Sequence, residues 1–170
     1  MKTWAKWFIA VAAVLALSMP RAAANTGNEA FEKLKALAGH WENATPGGMK
    51  TALDIEVSSG GSAVIERLST VENGKPVTMT TVYFLDGDAV KLTHYCMAGN
   101  QPTMKGTYDP ATRTLKFDFA SITGLKSPDD GYMHHALYTF VDNDHFKTKW
   151  TFRKNQKDAF EEEAVYVRTK

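Results

Sequence analysis

The residues best placed to do chemistry are His94 and Cys96, two apart in the run Ala89 to Met97, where Val90 and Leu92 share their parity and Lys91, Thr93 and Tyr95 take the other. On a strand such a pair leaves one face about seven ångströms apart along the backbone, so an imidazole and a thiol would stand side by side. That combination can bind a soft metal or serve as a nucleophile and its base. Two ligands do not make a metal site. A third would have to come from His134 or His135, which adjacent strand positions send to opposite faces. His135 shares its parity with Leu137, and His134 with Tyr138 and Phe140, so either can be the inward one. The plainer alternative is a hydrogen-bonded interior histidine beside a cysteine that packs as a small hydrophobe.

A second set of residues could line a cavity. Tyr83, Tyr108, Phe117, Phe119, Tyr138, Phe146, Trp150 and Phe152 fall at strand spacing, and small-molecule sites are mainly apolar with a few placed polar groups. Aromatics so spaced also make ordinary core. In a small barrel the interior is just wide enough either to be filled or to hold one small ligand, and the sequence leaves both open. If there is a site, its expected residues are Tyr83, His94, Cys96, Asn100, Tyr108, Phe117, Phe119, His135 and Trp150. Asp129-Asp130 and Asp142-Asn143-Asp144 read as turns, with no calcium-ligand spacing behind them. Glu161-Glu162-Glu163 reads as a solvated strand edge. There is no glycine-rich phosphate loop, no Gly-x-Ser-x-Gly elbow and no His-Glu-x-x-His. Catalysis has no positive signal, and no cofactor or metal is expected.

The elements that must position these residues follow from periodicity. Phe31, Leu34, Leu37 and Ala38 fall at helical spacing, with Asn28 as N-cap and Gly39 as stop, which predicts a helix from Asn28 to Ala38. Everything beyond Gly39 has period two. Thr51, Leu53, Ile55 and Val57 alternate with charged partners, and Ser59-Gly60-Gly61, Asn73-Gly74 and Asp86-Gly87 turn one run into the next. Leu115, Phe117 and Phe119 continue the pattern, and the polar stretch from Ile122 to Met133 is a candidate mouth loop. Consecutive hairpins predict an all-β, antiparallel up-and-down meander of about eight to ten strands, closed into a barrel so that no long edge stays open.

The first 24 residues do not belong to that fold. Lys2 and Lys6 flank the start of an apolar run, Trp7 to Leu17, and Ala22-Ala23-Ala24 supplies small residues for cleavage, so a signal peptide over 1–24 and a single domain over 25–170 are expected, in the periplasm or secreted. The run is too short for a permanent membrane span, so no integral membrane segment is expected after cleavage. Removing Lys2, Lys6 and Arg21 turns the formal charge of +1 into −2, which excludes an electrostatic footprint for nucleic acid. The lone Cys96 cannot form an internal disulfide, so packing alone must hold the domain. Oligomeric state is not legible.

A short helix running into Gly39-His40-Trp41, then a meander with Arg168 in its last strand, resembles the calycin superfamily of lipocalins, fatty-acid-binding proteins and nitrobindin-like barrels. The resemblance implies that Trp41 opens the first strand and that Arg168 packs across its indole to close the barrel base. It implies an interior binding site for a small apolar molecule such as a lipid or fatty acid. The sequence departs from the nitrobindin-like pattern after Trp41, where Glu42 to Gly48 lacks the glycine-patterned first strand. Glu161 to Arg168 also lacks the histidine that would ligate haem iron, so haem is not implied.

Overall fold

A computed structural model describes residues 26–169. The expected signal peptide over 1–24 lies outside the described residues. Helix α1 (Thr26–Ala36) precedes ten strands: β1 (Gly39–Asn43), β2 (Ala52–Ser58), β3 (Ala63–Glu72), β4 (Lys75–Asp86), β5 (Ala89–Tyr95), β6 (Gln101–Asp109), β7 (Thr114–Thr123), β8 (Tyr132–Phe140), β9 (His145–Lys154) and β10 (Lys157–Thr169). Each strand pairs antiparallel with the next, and β10 returns to β1, which closes the barrel. Closure leaves the ladder without an open edge. The expected all-β meander with one N-terminal helix is therefore the observed fold.

The helix begins before Asn28, the expected N-cap, because its first turn packs on the β4–β5 turn. A Cβ added to Gly27 would meet the Asp88 carbonyl oxygen at 1.9 Å, so only glycine permits that approach. Its apolar stripe of Ala30, Phe31 and Leu34 is fully buried against the barrel end. The Asn73-Gly74 turn has φ of 50° and 74°, the left-handed pair that a primed hairpin needs.

One end of the barrel is shut by a lock that the Gly-x-Trp segment anticipated. Trp41 is completely buried and donates from Nε1 to the Leu37 carbonyl at 2.8 Å. The Arg168 guanidinium lies 4.1 Å above its ring. The same guanidinium donates to the carbonyls of Ala36 (3.0 Å), Ala38 (2.7 Å) and Asn143 (3.0 Å), so it satisfies carbonyls left orphaned where the helix ends. Gly39 has φ +138° and passes so close that a Cβ would stand 2.6 Å from Nη1 of Arg168. One cation thus ties helix, first strand and last strand together.

The closed half of the interior is filled. Trp41 packs edge-on to Phe146 at 4.7 Å, Phe146 stacks on Tyr138, and Tyr138 meets Phe117 and Tyr83. The two readings of the interior, filled or hollow, both hold, each for one half of the barrel. Leu68, Met133 and Trp150 pack against the buried core yet remain only partly buried, because they border open space in the other half.

Candidate functional site

That space is a cavity of about 380 Å³, reached from the end opposite α1. It exists because inward positions near the open rim carry short or slender side chains. Thr51, Thr148 and Ala164 face inward where the closed half has Trp41 and Phe146. Ala164 stands opposite Thr148 in the β9–β10 ladder. The walls are Leu53, Leu68, Trp150 and Phe152, and Met49, Met97 and Phe160 form an apolar, solvent-exposed rim.

The floor is polar. Glu66, 4% exposed, takes the inward position between Val64 and Leu68 on β3. Its Oε2 accepts from Tyr83 at 2.9 Å and from Tyr138 at 3.2 Å, and the two phenol oxygens are 2.5 Å apart. No hydrogen bond reaches Oε1 among the described residues, so the carboxyl presents that atom to the cavity. Burial raises the Glu66 pKa to about 7, opposed in part by the two tyrosine hydrogen bonds. The same burial, together with the neighbouring Glu66 charge, keeps both phenols protonated well beyond their usual range.

His94 lines the wall beside Glu66 and is 5% exposed. Its Nδ1 is 2.9 Å from Thr81 Oγ1 and its ring lies 5.1 Å from that of Trp150. Nε2 is buried and has no partner. Burial lowers the His94 pKa to about 4, so the ring is neutral at physiological pH. Cys96 also lines the cavity, but burial raises its thiol pKa, and the imidazole is engaged with Thr81. The pair shares one wall, as its spacing predicts, without the thiolate that a nucleophile needs. No group of three His, Cys, Asp or Glu able to hold a metal occurs among the described residues.

Of the other expected site residues, Trp150 lines the cavity, while Tyr83 sits just beneath it as a hydrogen-bond donor to Glu66. Phe117 packs against Tyr83 and Tyr138 in the filled half. Tyr108 is at the closed end, edge-on to Phe140. Asn100 is buried but spends Nδ2 on the Gly131 carbonyl at 2.8 Å, which ties the β5–β6 turn to the β7–β8 connection at the open end. Phe119 stacks on His134 at 5.2 Å, and neither lines the cavity.

His135 requires a correction. Met133 pairs with Phe152 and His135 with Thr151, so a bulge at His134 resets the parity of β8. Met133 therefore takes the inward place before the bulge, while beyond it His135, opposite in parity to the buried Ala136 and Tyr138, faces outward with Nδ1 3.0 Å from Asp118 Oδ1. The acidic run needs one as well. β10 is not an edge, Glu161 and Glu163 face outward onto Lys149, and Glu162 between them lines the cavity mouth. Desolvation and the nearby Glu72 charge raise its pKa.

Among the site residues that the sequence reading missed are Glu66, Glu72, Glu162, Thr51 and Tyr166, the last two joined by a 3.0 Å hydrogen bond between their hydroxyls. The signal for Glu66 was an acid between Val64 and Leu68 at the apolar parity of β3.

A closed antiparallel barrel with a hollow open half, a helix on its shut end and an Arg-over-Trp lock defines a calycin-like β-barrel. Among solved structures, the chain is similar to the crystal structure of Rv2717c from M. tuberculosis, with a TM-score of 0.57 and 18% identity over 83% of this chain and 98% of that one. At that identity the likeness concerns the fold. No protein-family model and no curated protein matches the sequence.

Proposed function

We propose that this chain is an exported binding protein that carries a small, largely apolar molecule inside its barrel, in the periplasm or outside the cell. The observation that carries the reading is the half-hollow interior: a cavity of about 380 Å³ with aromatic and aliphatic walls and a small set of buried polar atoms at its floor. That volume is near the lower end of the range for small-molecule sites. A buried imidazole nitrogen without a partner costs free energy unless something in the cavity meets it, and the natural occupant is a ligand group or ordered water. The charged leader supports export.

Filling the cavity tests the reading. Ala164→Phe places a ring in open space, so the overpacking strain of an ordinary core substitution is avoided. The uncharged dye N-phenylnaphthylamine is expected to brighten on binding the native chain and to bind the variant at least about tenfold more weakly, with no loss of thermal stability. Equal dye affinity in the two proteins would place binding outside the barrel.

A further inference from the structure

We infer that the cavity selects ligands whose apolar body ends in a cationic amine, seated with the amine on Glu66, and that it rejects fatty acids. The inference rests on the carrier reading above and names its ligand class.

The first ground is the sign of the lining. Three carboxyl groups border the cavity, Glu66 at the floor and Glu72 and Glu162 at the mouth, and neither lysine nor arginine is among the lining residues. A fatty-acid carboxylate entering this space would pass two acids and stop against a third with no cation to receive it. A buried anion without a partner is strongly disfavoured. An ammonium meets the opposite field at every step.

The second ground is the geometry of the floor. Oε2 of Glu66 is held by two tyrosine hydroxyls, which fixes the carboxyl and turns Oε1 toward the ligand. Beside it, His94 Nε2 is buried and unpartnered, and in the tautomer whose Nδ1–H donates to Thr81 Oγ1 the neutral ring leaves Nε2 as an acceptor. A primary ammonium carries three donors, enough to serve Glu66 Oε1 and His94 Nε2. The third ground is the wall: the rings of Trp150, Tyr138 and Tyr166 border the cavity, and aromatic faces attract cations.

The titratable groups facing Glu66 are Tyr83 on β4, His94 on β5, Tyr138 on β8, and Tyr166 and Glu162 on β10, with Glu72 at the end of its own strand and Cys96 beyond β5. The tyrosines stay protonated and His94 stays neutral between pH 5 and 9, so Glu66 governs proton linkage at the floor. With its pKa at about 7, ammonium binding must expel a proton below that pH.

The test compares octylamine, octanol and octanoate on the full mature chain, each followed by displacement of N-phenylnaphthylamine. Octylamine is expected to bind at least about tenfold tighter than either of the others at pH 8 and to weaken by up to about tenfold per pH unit below 7. Glu66→Gln should remove both the preference and the pH dependence, whereas Glu162→Gln should keep the pH dependence. Octanoate or octanol binding as tightly as octylamine, or octylamine failing while the dye still binds, overturns the inference and leaves the carrier reading standing. Failure of all three probes and of the dye takes down both.

Discussion

Glu66→Gln is expected to make the protein more stable, by on the order of 3 kcal/mol at pH 8.5 and by less than about 1 kcal/mol at pH 5. The folded chain holds the Glu66 proton with a pKa of about 7 against an ordinary value of 4.5. Between those values the folded state binds more protons than the unfolded state, so the stability contributed by this residue falls as pH rises through the window and is constant above it. Glutamine is isosteric and cannot ionise. Its carbonyl can accept from Tyr83 and Tyr138 in place of Oε2, while its amide faces the cavity. Urea denaturation of both proteins at pH 5, 7 and 8.5 measures the difference. A variant that is less stable than the native chain at pH 8.5 would show that the carboxylate is welcome in the fold, contrary to its burial. A gain confirms that the native residue is retained at a cost in stability, which is common at binding sites.

Arg168→Ala is expected to destabilise the domain by about 3 kcal/mol, with Arg168→Lys recovering less than half of that loss. The guanidinium serves three carbonyls and the indole face at once, and an ammonium is a point charge without that planar fork. Truncation also leaves the Ala36 and Ala38 carbonyls without their donor beside the helix end. Because the lock is at the closed end and the cavity at the other, the affinity of the folded variant for N-phenylnaphthylamine should be unchanged. A loss below about 1 kcal/mol would mean that α1 and the last strand hold the barrel shut without the arginine.

The fold was legible because its signals are local. Period-two runs such as Thr51 to Val57, the Asn73-Gly74 turn and the Gly39-x-Trp41 segment each act within a few residues, and the closed meander follows from their order. The helix was off by two residues at each end because Gly27, which packs on Asp88, was not counted as a contact. The wall of the site was legible in part: His94, Cys96 and Trp150 share it as strand parity predicts.

What parity cannot show is a bulge. The extra residue at His134 put Met133 in place of that histidine on the inward face, while His135, opposite in parity to the buried Ala136 and Tyr138, faces out to Asp118. Nor can parity show depth. Tyr108, Phe117 and Trp150 all point inward, yet Tyr108 closes one end, Phe117 fills the middle and only Trp150 meets the cavity. Glu66 and Glu162 were overlooked for opposite reasons. One was an acid between Val64 and Leu68 at the apolar parity of its strand, and the other was hidden in a run of three that reads as surface until alternation is applied to it.

The central claim, that the open half of the barrel holds a small molecule, is tested most directly by native mass spectrometry of the protein purified from the cells that make it, followed by extraction and identification of whatever leaves on denaturation. The account predicts a companion mass at near one-to-one with the protein, released by acid, largely apolar and bearing a basic nitrogen. A mass equal to the bare chain, unchanged after incubation with octylamine or N-phenylnaphthylamine, would contradict it and leave a barrel whose hollow half holds only water.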